Sequence, residues 1–113
     1  MTARDLAAEA MLDEPENRYL CWRQLEDGTY VAVMRLMFTV ALCIGVGAYT
    51  AYRRRYCYED LGTALAEYQT LQTGDDEPWG WIARRPETAE DVEAKGQPNY
   101  DPSQFWPKRD EEV

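Results

Sequence analysis

An α+β fold is what this sequence predicts: a small antiparallel β-sheet of three to four strands with one helix packed across it, an N-terminal helix and an irregular acidic C-terminal tail. Three observations carry that expectation. Asp27-Gly28 sits between two strand-like runs, the stretch from Thr39 to Val46 is rich in β-branched residues, and Leu61, Leu65 and Tyr68 recur at helical spacing. A chain of 113 residues has room for one compact core, and 45% hydrophobic against 29% charged residues is the balance of a globular protein. The expected division is an N-terminal helical arm over residues 1–18, an α+β core over 19–86 and a proline-containing acidic tail over 87–113.

Residues 2–12 read as a short helix, with Thr2 placed to cap it and Leu6, Ala10 and Met11 as its apolar stripe. Pro15, within the stretch from Asp13 to Asn17, ends it. A β-hairpin follows, with strands over Tyr19 to Glu26 and Thr29 to Met37. Asp27-Gly28 between them predicts a two-residue type I′ turn, in which both central residues take positive φ. A third strand is expected near Thr39 to Val46, with a turn around Gly47.

Leu36 to Tyr52 is uncharged and is followed by Arg53, Arg54 and Arg55, the pattern of a membrane span with a positive flank. Arg35 cuts it below the ~20 residues that a span needs. Val40, Ile44, Val46, Thr39 and Thr50 favour strand as well, so a water-soluble sheet is the expected outcome.

Ala51 to Tyr58 predicts a fourth strand, which puts Arg53, Arg55 and Cys57 on one face and Arg54, Tyr56 and Tyr58 on the other. Glu59-Asp60 opens a helix running to about Gln72, where carboxylates suit the positive end of the helix dipole. Leu61, Leu65, Tyr68 and Leu71 or Gln72 form its apolar side, and Gly74 is placed to cap its end. Asp75 to Pro86 reads as an acidic turn followed by an extended segment carrying Trp79 and Trp81. Beyond it, Pro98, Pro102 and Pro107 interrupt a polar segment anchored by Tyr100, Phe105 and Trp106.

Composition narrows the chemistry. Twelve Lys and Arg against 21 Asp and Glu give a net charge of -9, which repels polyanions at long range and disfavours duplex DNA as a partner. The acid is concentrated at the ends: residues 1–18 carry 2 basic and 5 acidic groups, residues 19–85 carry 7 and 8, and residues 86–113 carry 3 and 8. Histidine is absent, which removes the usual general base, the commonest zinc nitrogen ligand and every Ser-His or Cys-His nucleophile pair. Cys21, Cys43 and Cys57 form no CxxC pair, and with no secretory signal their odd number points to reduced, buried thiols in a cytoplasmic compartment. No catalytic residue, cofactor or metal site is expected. The chain is read as a binding protein, not an enzyme.

Arg55-Tyr56-Cys57-Tyr58, the helix with Ala64, Leu65 and Ala66, and Glu77-Pro78-Trp79-Gly80-Trp81 resemble a group of short phage and prophage proteins of unknown function. Chains of that group pair an Asp-Gly hairpin with an aromatic-Cys-aromatic strand, an alanine-rich helix and a Glu-Pro-x-Gly-Trp element followed by basic residues and proline. Here that last part is Trp81 to Pro86, and the likeness spans Asp27 to Pro86. The chain departs from the pattern in having no histidine after the tryptophan and a more acidic tail. The resemblance implies expression in the cytoplasm of a bacterial host and assigns no catalytic residues.

Two candidate surfaces emerge. The first is acidic: Asp75, Asp76, Glu77, Glu90, Asp91 and Glu93, with Trp79 and Trp81 as anchors. It would bind a host protein or complex with a basic surface, in the narrower form a nucleic-acid-binding defence complex of the CRISPR type, by standing carboxylates where that complex takes phosphates. The second joins Arg53, Arg54, Arg55, Arg84 and Arg85 with Tyr56, the mixture of cations and stackable rings used on single-stranded nucleic acids. The net charge ranks direct nucleic-acid binding second. A structural or membrane-associated phage component using Leu36 to Tyr52 ranks third.

Overall fold

The computed structural model describes residues 3–48 and 52–86, together with residues 89, 92 and 93. Five strands, Tyr19–Gln24 (β1), Tyr30–Arg35 (β2), Val40–Ile44 (β3), Arg54–Tyr58 (β4) and Ala83–Arg85 (β5), form one antiparallel sheet whose spatial order repeats the chain order. Helix Leu6–Asp13 (α1) lies on one face and helix Leu61–Thr70 (α2) on the other. The α+β class holds, with one strand more than the sequence predicts. The addition, β5, comes from the segment after Trp81.

Strand alternation sorts the side chains between two cores. Val31, Val33, Val40, Leu42 and Ile44 face α2, where they meet Tyr56, Tyr58, Ala64 and Tyr68. Ala32, Ala41 and Cys43, from the alternate positions, face the side where Ala8 and Leu12 of α1 pack. Each fully buried Val, Leu or Ile stabilises the fold by roughly 1.5–3 kcal/mol. The central strand β3 is buried along its whole length because it is covered on both faces, and such a strand reads as a continuous apolar run without polar alternation. That explains why Leu36 to Tyr52 looks like a span. Its described part divides between a hairpin tip, β3 and a turn, and among the described residues no helix is long and apolar enough to cross a membrane.

Several local expectations are corrected. The β1–β2 connection is not a type I′ turn. Gly28 alone of residues 26–28 takes positive φ (92°), Gly28 N–H donates to Leu25 O (3.0 Å) and Leu25 N–H to Thr29 O (2.7 Å). This is a three-residue loop in which one left-handed glycine closes an ordinary turn, a common hairpin connection after the two-residue primed turns. The chain leaves β3 at Gly45 (φ 83°), and Gly47 lies within the connection to β4 that follows.

Helix α1 begins later than residues 2–12 suggest, because the Asp5 carboxylate caps it, accepting from Ala7 and Ala8 N–H (both 3.1 Å). Thr2, the expected cap, lies outside the described residues. The buried side of α1 is Ala8, Glu9 and Leu12; Leu6 is 70% exposed and Ala10 is exposed. Glu9 tolerates burial because Arg4 Nε (2.9 Å) and Nη2 donate to its carboxylate and Tyr30 Oη donates as well (2.6 Å). Those bonds, Arg4's first and Tyr30's second, hold the Glu9 carboxyl down at about 2.

Helix α2 is capped by Asp60, which accepts from Thr63 N–H (2.8 Å). Its other end is not capped by Gly74. Leu71 is extended there (φ -67°), and Arg23 Nη2 reaches from β1 to donate to the carbonyls of Tyr68 and Leu71 (both 2.7 Å), with its guanidinium 5.2 Å from the Tyr68 ring centre. A cation on the last carbonyls satisfies orphan acceptors and the helix dipole together.

Candidate interaction surface

The antiparallel register places the β1–β2 and β2–β3 turns at opposite ends of the sheet. At the first end two loops interlock. The Asp27 carboxylate accepts from Thr29 N–H (3.1 Å) in its own loop and from Gly74 N–H (2.8 Å) in the loop after α2, while Glu26 N–H donates to Gln72 O (3.1 Å). Asp76 closes the second loop by accepting from Gln72 N–H (2.8 Å) and Thr73 N–H (3.1 Å). Both carboxyls are held below their usual range. For Asp27 the chief cause is the Gly74 N–H, for Asp76 that of Gln72.

Arg53 Nη2 donates to Gly74 O (2.8 Å), and Arg54 donates to Gly74 O, to Asp76 O (3.2 Å) and to Tyr56 Oη (2.7 Å). Gly74 is therefore buried among partners. A Cβ there would collide with Thr29 Oγ1 and come within 2.9 Å of Arg53 Nη2.

The acidic surface inferred from sequence is assembled only in part. Asp75, Asp76 and Glu77 share one turn, but Asp76 serves as a loop acceptor and Glu77 pairs with Arg84 (2.7 Å). Asp75 and Glu93 are exposed; Glu90 and Asp91 lie outside the described residues. The two tryptophans part company. Trp79 is 40% exposed, with its backbone N–H held by Glu67 Oε1 (2.8 Å), whereas Trp81 is buried against Tyr56 (ring centres 5.6 Å apart) and belongs to the core.

The arginine surface divides as well. Arg53 and Arg54 bind loop carbonyls, Arg84 lies over Trp81 and pairs with Glu77, and Tyr56 is buried. Arg55 and Arg85 face each other across β4 and β5. A continuous platform of all these cations beside an exposed Tyr56 is not formed.

At the other end, Leu36 N–H donates to Thr39 O (2.8 Å) and closes a tip whose two central residues are Met37 and Phe38. They are 87% and 88% exposed. Their position explains this: beyond the last paired residues, Arg35 and Val40, neither side chain can reach the layer on either face. The same end holds Tyr19 at the start of β1, where a register shift between Tyr19 and Cys21 leaves Leu20 half exposed, and Glu59, exposed after Tyr58.

Sequence reading misses this surface, because Met37 reads as the end of a strand and Phe38 disappears into the uncharged run. The signal that could have found it is the need for a turn between matched strands where the sequence offers no Gly, Asn, Asp or Pro.

Among the described residues, the carboxyls displaced from their usual range, Glu9, Asp27 and Asp76, all move away from neutrality because each accepts hydrogen bonds within the fold. A carboxylic acid serving as proton donor needs the opposite shift. Burial pushes the Cys43 thiol up to about 12, away from the reactive thiolate. Among the described residues no group of three or more Cys, Asp or Glu is placed to hold a metal ion. No protein-family model, characterised protein or solved structure matches this chain.

Proposed function

We propose that the protein is a non-catalytic interaction protein that docks through the Met37–Phe38 tip onto a partner protein with an apolar pocket and a basic surround. The observation that carries this reading is the near-complete exposure of two adjacent large apolar side chains on a hairpin whose strands are otherwise well packed. Burying a Met and a Phe yields roughly 1.5–3 kcal/mol each, enough to make the tip an anchor, while the net charge of -9 steers a basic partner toward it. Asp75, Glu77 and Glu93, exposed elsewhere, extend the acidic character of the surface, and Trp79 is exposed near the first two. The narrower form is inhibition of a nucleic-acid-binding defence complex of the CRISPR type in the cytoplasm of a bacterial host, with carboxylates meeting the partner's phosphate-binding groups.

Affinity capture from a host lysate, run in parallel with the native chain and a Met37→Ser/Phe38→Ser variant, tests the reading. A partner retained by the first and weakened at least ~30-fold on the second is the expected outcome, since hot-spot truncations cost about 2 kcal/mol or more. Equal retention by both removes the tip from the account. Asp75→Lys with Glu93→Lys then tests the acidic component: it should slow association and flatten the salt dependence.

A further inference from the structure

The arginines of residues 53–55 and 84–85 are not equivalent. Arg53 and Arg54 donate to the carbonyls of Gly74 and Asp76, and Arg84 pairs with Glu77. Among the described residues Arg55 and Arg85 have no such arrangement. They are direct partners across β4 and β5, so their side chains leave the sheet on the same face with Cβ atoms about 4.5–5.5 Å apart. Like charges placed so repel. Among the described residues no carboxylate forms an ion pair with either.

Arg55 lies over the Tyr52 ring, 5.0 Å from its centre, and its Nε is buried without a hydrogen-bond acceptor. A buried donor left without an acceptor carries its full desolvation cost. Among the described residues, two arginines without an ion-pair carboxylate therefore stand side by side on one face of the sheet, one of them with an orphaned N–H. That is an electrostatic deficit, and an anion held between the arginines removes the larger part of it.

We infer that Arg55 and Arg85 form an anion-binding site for a dianionic phosphate group, either inorganic phosphate or a phosphomonoester. Charge selects the class: a dianion neutralises both guanidinium groups, whereas a carboxylate leaves one uncompensated. Geometry agrees, because the planar guanidinium fork matches a pair of phosphate oxygens, and stacking on Tyr52 orients the fork of Arg55. Arg85 is exposed on the last strand of the sheet, and among the described residues no further strand pairs beyond it. The site uses neither the tip nor the acidic turn, so it is independent of the docking reading.

The test is calorimetric titration of the full chain, at low ionic strength, with three probes: inorganic phosphate, a short 5′-phosphorylated oligothymidine, and the same oligomer without its terminal phosphate. Arg85→Gln and Arg55→Lys are titrated alongside, with circular dichroism confirming that each is folded; should Arg55→Lys misfold, the exposed Arg85→Gln decides alone. Saturable binding of phosphate or of the phosphorylated oligomer, weakened roughly tenfold or more in either variant, is expected. Inorganic phosphate binding alone identifies a free ion as the source, and binding only of the phosphorylated oligomer identifies a phosphorylated ligand. Absence of saturable binding, equal binding of the two oligomers, or binding unchanged by Arg85→Gln overturns the assignment.

Discussion

The two ends of the sheet treat their exposed groups in opposite ways. At the β1–β2 end, backbone donors and side-chain acceptors from two loops answer one another: Gly74 N–H to Asp27, Gln72 and Thr73 N–H to Asp76, Arg53 and Arg54 to Gly74 O. At the β2–β3 end one bond from Leu36 N–H to Thr39 O closes the hairpin, and two large apolar side chains stand in water. The difference teaches that a conspicuous charge run in the sequence is a poor guide to which groups the fold leaves unengaged. Carboxylates at the interlocked end are largely engaged within the fold, whereas the tip holds apolar area that nothing described in the chain covers.

The contrast can be broken most severely at Gly74. Gly74→Ala drives a methyl group into Thr29 and Arg53 at the junction of both loops, and overpacking of this kind should lower unfolding free energy by about 1–3 kcal/mol in a denaturant titration. An unchanged midpoint would mean that the loops are not locked together.

Acid should loosen the same end selectively. Asp27 and Asp76 have folded-state pKa values below the ordinary 3.8, so their stabilising effect is present above 3.8 and disappears as pH falls from there through the folded values. Hydrogen exchange followed below about pH 4 should show the amides of Gly74, Gln72 and Thr73 losing protection before those of β3. Uniform loss would contradict it.

The smallest effect is expected at the tip: Met37→Ser/Phe38→Ser should change stability by no more than about 0.5 kcal/mol, the range of exposed substitutions away from packing and caps. A larger loss would show that the tip is structural.

Much of this architecture is legible in the sequence. Asp27-Gly28 locates the first hairpin, and Leu61, Leu65 and Tyr68 locate the helix that packs on the sheet, because both signals are local in sequence. Tyr56, Cys57 and Tyr58 divide between the faces as period-two alternation requires. What stays hidden depends on residues distant in the chain. Gly74 reads as a helix cap, since nothing nearby reveals that Arg23, on the first strand, supplies the donors. Strand β5 escapes because three residues are too few to display a period. In α1, Glu9 replaces Leu6 on the buried side because Tyr30 and Arg4 supply partners that no helical pattern can show.

The candidate tip is obscured for a related reason: in an uncharged stretch, the residues that a turn ejects into solvent look the same as those that a strand buries.

Spatial order in the sheet follows chain order without exception. Each strand therefore finds its neighbour in the strand that precedes it, and only the step from β4 to β5 passes through a helix. Short-range pairing of this sort favours rapid folding. A ribosome releasing this chain from its N-terminus would let the meander grow by successive addition, with β1 as the constant edge and the newest strand as the other, until the short strand β5 takes that outer place.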